Sequence, residues 1–284
     1  MKTILFILII QTAFILDFYP QEEELEQITY SYKTEEYILY RHESDGKLSE
    51  YMKDRCRMDL YYPENLENFP TVVWFHGGGM KQGSKYIPPF LKDQGIAVAA
   101  VNYRLYPEAK CPAYIEDAAA SVAWIFKNIE KYNGDPDLIF IAGHSAGGYL
   151  ASMVGLDKQW LAKYNIDADN LAGIIPFSGQ AVTHTTIREE RGIPNNQPII
   201  DEYAPLYHVR KDAPPLMLLT GNRDMEIPSR YEENLYLWKM MHVVGHEQTT
   251  IHELDGFDHG TMVVPGCFLM MQFINEIYSA KQEL

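Results

Sequence analysis

Five short apolar runs, at residues 72–75, 97–101, 138–141, 174–177 and 216–219, constrain what this chain can fold into more than any other feature. None alternates polar with apolar residues, and an unbroken run of this length suits a strand buried on both faces of a sheet. Between them lie segments of helical spacing. Over residues 114–129, Ile115, Ala118, Ala119, Val122, Ile125, Phe126 and Ile129 share one face, with Pro112 just ahead and Glu116 and Asp117 near the start. Strands alternating with helices imply the α/β class: a mostly parallel central sheet with helices on both faces. Ahead of this alternation, Met58, Leu60 and Tyr62 alternate with Arg57, Asp59 and Tyr61, which predicts an antiparallel or edge strand over 55–62. The spacing further predicts a helix over 231–241, a strand over 249–254 and a closing helix over 266–280.

A chain of 284 residues, 46% of them hydrophobic, can bury one large core, so residues 21–284 are expected to form a single domain. The net charge of −15 comes without any basic cluster, which argues against nucleic acid as a partner. Residues 1–20 read differently: Met1, Lys2 and Thr3 lead into apolar residues 4–10 and 13–16, the pattern of a signal peptide or N-terminal hydrophobic anchor. The run is too short and interrupted for a stable membrane span, so the expectation is an exported protein with an acidic linker over 17–27. The three cysteines, Cys56, Cys111 and Cys267, are too far apart to suggest a disulfide framework. The nine histidines lack ligand spacing, so neither a metal nor another cofactor is expected.

In sheets of this kind ligands bind beyond the carboxyl ends of the strands, so the loop after each apolar run matters. HGGGMKQGS comes after the first, GHSAGG after the third, TGNRD after the fifth, and DGFDHG after 249–254. A glycine-rich loop, a serine, an acid and a histidine are thereby brought to one edge. A serine hydroxyl is a poor nucleophile until an imidazole takes its proton, and the imidazole needs an acceptor to hold its tautomer. Ser145, Asp224 and His259 have the required types in chain order, with Glu226 and Asp255 as alternatives for the acid. His259 is preferred as base because it sits in a loop after the strand, whereas His252 falls within it and His242 and His246 precede it. The glycines around Ser145 suit a tight strand-to-helix turn. The backbone N–H groups of Gly78, Gly79 and Ala146 are assigned to the oxyanion of an acyl-transfer transition state. His76 reads as a prop for the glycine loop, and Asp258 as a residue that shapes the loop carrying His259.

With these elements in place the sequence resembles the α/β-hydrolase esterases and lipases, in particular the hormone-sensitive-lipase-like enzymes and secreted bacterial carboxylesterases. The residues that carry the likeness are VVWFHGGGMKQGS (72–84), VNYRLYPEAKCPAYIEDA (101–118), GHSAGG (143–148), APPLMLLTGNRD (213–224) and DGFDHG (255–260). The resemblance implies Ser145, Asp224 and His259 as a catalytic triad, Gly78, Gly79 and Ala146 as the oxyanion hole, and structural roles for Tyr103, Arg104 and Asp117. Met80 departs from the family, which often has an aromatic residue there.

The implied activity is hydrolysis of small-molecule or carbohydrate esters through an acyl-enzyme, with short acyl groups and carbohydrate acetyl esters as candidate substrates. Alternatives are an amide hydrolase of the same fold, arylformamidase-like or peptidase-like, and an inactive binding module on this scaffold. The segment 180–203, with little periodicity, is expected to cover the site as a lid or side wall, the alternative being a solvated loop.

Overall fold

A computed structural model describes residues 30–42 and 47–282, so the hydrophobic segment at 1–20 and the acidic linker at 17–27 lie outside the described residues. In chain order the strands are β1 (Tyr32–Leu39), β2 (Arg57–Pro63), β3 (Phe69–Phe75), β4 (Ala97–Val101), β5 (Gly134–His144), β6 (Gly173–Phe177), β7 (Leu216–Gly221) and β8 (Thr249–Leu254). The α-helices are α1 (Glu50–Arg55), α2 (Ala113–Asn128), α3 (Ala146–Leu156), α4 (Gln159–Ala162), α5 (Thr185–Glu190), α6 (Arg230–Val243) and α7 (Val263–Gln282).

The strands form one sheet in the order β1-β2-β4-β3-β5-β6-β7-β8. β1 and β2 are antiparallel to their neighbours, and β4, β3 and β5 to β8 run parallel. This is the mostly parallel α/β sheet that the order of apolar runs implied, in the α/β-hydrolase arrangement that the resemblance implied.

Period-two side-chain alternation sorts each central strand into two cores. Val73, Phe75, Ala99, Ile139, Ile141 and Leu218 pack on the face covered by α2, α3 and α6. Val72, Trp74, Val98, Phe140 and Leu219 pack on the other, against Met262, Cys267, Met270 and Ile274 at the start and along α7. Every residue of β3, β4, β6 and β7 is buried, which is why these strands read as unbroken apolar runs. A fully buried Leu, Ile or Phe stabilises the fold by roughly 1.5–3 kcal/mol, so the sheet is held from both sides.

Register brings the carboxyl ends together. Phe75 pairs with Val101 and Gly143, His144 with Phe177, Phe177 with Leu219, and Gly221 with Leu254. The loops after β3, β5, β6, β7 and β8 therefore leave the sheet along one edge.

Candidate active site

β5 ends at His144 and α3 begins at Ala146, so one residue makes the whole turn. That residue, Ser145, has φ 57° and ψ −116°, a conformation that a residue with a Cβ adopts only when its surroundings impose it. Its N–H donates to Phe177 O at 2.8 Å, and its carbonyl accepts from Tyr149 N at 3.0 Å. The flanking glycines are fixed by close approach. A Cβ on Gly147 would sit 2.0 Å from Phe75 O, and one on Gly143 would sit 2.6 Å from the same atom. Ser145 itself remains partly exposed.

The glycine loop lies against this turn, since a Cβ on Gly77 would come within 3.4 Å of Ser145 Cβ. Gly78 and Gly79 take φ of 106° and 63°, which glycine alone adopts readily. Their carbonyls are held from behind. Gly77 O accepts from His76 Nδ1 at 2.6 Å, Gly78 O from the N–H groups of Lys81 and Gln82 at 3.1 and 3.2 Å, and Gly79 O from the Thr186 hydroxyl. A trans peptide sets N–H opposite to C=O, so fixing the Gly77 and Gly78 carbonyls fixes where the Gly78 and Gly79 N–H groups point. Ala146 opens α3, so its N–H is among those a helix leaves without an internal acceptor.

His76 is buried and stacked on Tyr103 with ring centroids 4.4 Å apart. Burial pushes its pKa down to about 4, so the ring is neutral and acts as a prop, as its place in the sequence suggested.

The histidine and acid positions need one correction. His259 is in the loop after β8, as expected from the sequence. His144 Nε2 donates to its carbonyl at 2.7 Å, and the two rings lie 4.7 Å apart, which holds His259 beside the serine turn. Burial and the neighbouring His259 push the His144 pKa down to about 4, leaving that ring neutral.

The carboxylate facing His259 Nδ1, at 2.9 Å, belongs to Glu226. Asp224, assigned to this place from the sequence, is exposed, and its N–H is capped by Asn222 Oδ1 at 2.9 Å. The turn after β7 explains the difference. The N–H groups of Met225 and Glu226 both donate to Asn222 O, so residues 223–225 project outward and the chain turns back at 226. Asp255, the other alternative, is exposed and accepts from Asn222 Nδ2.

Glu226 accepts four hydrogen bonds: from Ser178 Oγ (2.6 Å) and Gly221 N (3.0 Å) on Oε1, and from Ile227 N and His259 Nδ1 (both 2.9 Å) on Oε2. Burial disfavours its charge, but the bonds from His259, Ser178 and Gly221 outweigh that and hold the carboxyl at about 2. Ser178, just past the end of the β6 run, carries no motif that singles it out in the sequence. The rule applied to the other strand ends would have found it.

His246 and His242 do other work. His246 is buried between Thr249 Oγ1 and Ala213 O, and His242 Nε2 meets Thr249 O. Asp258 Oδ1 accepts from the N–H groups of Gly260 and Thr261, shaping the loop that carries His259. Asp117 is fully buried and takes bonds from both Arg41 and Arg104, the structural role expected of it, while Tyr103 OH donates to His76 O at 2.7 Å. Met80 is buried with φ 59° and accepts from Tyr106 N.

The segment 180–203 is buried over most of residues 180–188 and largely exposed over 189–202. It contains α5, buries Thr186, Ile187 and Arg188, and holds the glycine loop through Thr186 and a Lys81–Glu189 ion pair. Arg188 fastens it internally, donating to Thr183 O, Asn195 O and Gln197 O.

Comparison with known proteins agrees with this fold. The family model described as BD-FAE matches residues 58–238. Esterase LipC of Mycobacterium tuberculosis is 26% identical over 243 residues, covering 75% of this chain and 60% of that protein. Carboxylesterase NlhH of the same species is 36% identical over 101 residues, covering 34% of this chain and 32% of that protein. The chain thus spans less than two thirds of the length of these curated relatives. Among solved structures, a truncated carbohydrate esterase from gut microbiota superposes with a TM-score of 0.70 at 20% identity, covering 89% of this chain and 98% of that one. A Pyrobaculum calidifontis esterase gives 0.61 at 25% identity, covering 79% and 81%.

Proposed function

This chain belongs to the BD-FAE family, and from that premise we propose that it is a serine carboxylic-ester hydrolase. The observation that carries the reading is the convergence of Ser145 on a strained turn, a clamped glycine loop, and a His259 imidazole held by a buried, ionised Glu226. Esterase and carboxylesterase names among the relatives support it.

Ser145 Oγ attacks the ester carbonyl while its proton passes to His259 Nε2. The negative charge that develops on the carbonyl oxygen is received by the N–H groups of Gly78, Gly79 and Ala146. Collapse breaks the bond to the alkoxide, which leaves with the proton from His259, and the acyl group stays on Ser145. Water then attacks the acyl-enzyme, giving its proton to His259. The second collapse releases the carboxylic acid and returns the proton to Ser145. Throughout, Glu226 keeps the Nδ1–H tautomer and stabilises the imidazolium that forms twice per turnover. The acid of the triad is therefore Glu226, with Asp224 left outside it.

The proposed substrates are esters with short acyl groups, carbohydrate acetyl esters among them, and a structural neighbour named as a carbohydrate esterase supports the latter. Export is part of the proposal and rests on residues 1–20. The test is hydrolysis of p-nitrophenyl acetate, butyrate and octanoate, with p-nitroacetanilide as the matched amide, by wild type and S145A. The expected result is ester turnover that falls with acyl length and drops by up to about 10⁶-fold in S145A. Equal rates in the two proteins would refute it, and faster amide cleavage would favour an amidase.

A further inference from the structure

Ser178 comes directly after the last residue of β6 with its backbone in the left-handed region at φ 50°, and it is fully buried. Non-glycine residues seldom hold this conformation, and here the backbone is clamped on both sides. Its N–H donates to Leu219 O at 2.7 Å, carrying the β6 to β7 ladder one step past the strand, and its carbonyl receives the buried guanidinium of Arg230. The next carbonyl, Gly179 O, accepts from Asn234 Nδ2 at 2.9 Å. The main chain is therefore fixed by contacts that owe nothing to the hydroxyl.

The hydroxyl itself lies between the two members of the acid–base pair. Oγ is 2.6 Å from Glu226 Oε1 and 2.9 Å from His259 Nδ1. With a single proton, which a carboxylate can only accept, Oγ must donate to Glu226 and present a lone pair to His259. The Nδ1–H then meets two acceptors, Ser178 Oγ and Glu226 Oε2, each at 2.9 Å. Burial keeps Oγ from meeting an ester, so a second nucleophile is excluded.

We propose that Ser178 is a positioning residue that closes a three-membered hydrogen-bonded ring with His259 and Glu226, locking the Nδ1–H tautomer and the tilt of the imidazole. This rests on the esterase reading of the same site. The geometry has two effects. A rotation of His259 about its Cβ–Cγ bond must break two bonds to Nδ1 rather than one. The carboxylate also cannot swing its Oε1 toward the ring without losing the hydroxyl.

S178A and S178G separate this role from a structural one. Glycine removes the hydroxyl but takes φ 50° without strain, so the fold should tolerate it. Losing a hydrogen bond to a charged partner that is needed in the transition state should lower kcat for p-nitrophenyl acetate by about 10- to 100-fold in both variants, with KM within about twofold. The downfield Nδ1–H proton resonance of His259 should shift or broaden in S178G, because one of its two acceptors is gone. S178T, which restores a hydroxyl on a β-branched residue disfavoured at this φ, should be less stable than S178G yet faster. Rates that track thermal stability across Gly, Ala and Thr, or an unchanged resonance and kcat in S178G, would overturn the proposal. If S145A hydrolyses as fast as wild type, the esterase reading falls on its own, and the imidazole resonance still decides the role of Ser178.

Discussion

Replacing Glu226 by Gln while leaving Asp224 in place, and the reverse, separates two carboxylates only two residues apart. Glu226 meets four donors: the Ser178 hydroxyl, the N–H groups of Gly221 and Ile227, and His259 Nδ1–H. A glutamine amide offers one oxygen to these four and adds two N–H donors of its own. Oxygen placed on the Gly221 and Ser178 side turns the NH₂ toward His259, which favours the tautomer with the proton on Nε2. That imidazole cannot take the serine proton. The cost of a wrong tautomer in such a triad is about 10⁴-fold in kcat, or ~5.4 kcal/mol at about 1.36 kcal/mol per decade. Stability should also fall, by about 1–3 kcal/mol, because buried donors lose their acceptor. Asp224 is exposed and lies outside the acid–base pair, so D224N should change kcat by no more than about twofold. The assay is p-nitrophenyl acetate hydrolysis for both variants, with urea unfolding to confirm the fold. A D224N enzyme that loses several decades while E226Q keeps its rate would refute the reasoning and restore the acid expected from the sequence.

Three other outcomes rest on the same contacts. Because the folded-state pKa of Glu226 is depressed from the usual range near 4.5 to about 2, its stabilising contribution is present above that range and lost as pH falls through about 2. The stability gap between wild type and E226Q should therefore be flat above about pH 5 and shrink between there and about pH 2, and a gap that widened on acidification would contradict this. D117A leaves the Arg41 and Arg104 guanidiniums facing each other across a buried site, so unfolding free energy should drop by about 3–5 kcal/mol in urea melts; a loss below about 1 kcal/mol would rule out the structural role. G147A forces a Cβ to 2.0 Å from Phe75 O, a backbone atom, and should cost at least about 1–3 kcal/mol, read as a lowered Tm; a Tm equal to wild type would show that the turn has room these contacts deny it.

Much of the fold is legible in the sequence because the central strands are buried on both faces and so declare themselves as apolar runs. The spacing marks β8 over its full range and α2 within one residue at each end. β1 escapes it for the converse reason: Lys33, Glu35 and Glu36 lie on an antiparallel edge strand whose burial is slight, and its sequence carries no apolar face. α5 escapes it because its buried residues Thr186, Ile187 and Arg188 are consecutive and form no helical stripe.

At the site, Ser145, His259 and the glycine loop are legible from the loops at the strand ends. Which carboxylate faces His259 is not, since Asp224 and Glu226 occupy the same loop. The choice depends on a turn at Asn222 O that composition does not encode. Glu226 stands among the alternatives for the acid, and the sequence holds one unused signal, the polar Ser178 at the fourth strand end.

The serine mechanism is most directly tested by treating the purified protein with a fluorophosphonate and mapping the adduct by peptide mass spectrometry, with S145A alongside. A single adduct on Ser145 in wild type, absent from S145A, is the expected result. No adduct on the wild-type protein, or one that persists in S145A on another residue, would mean that the strained turn is architecture alone and that the chemistry proposed for this edge of the sheet is wrong.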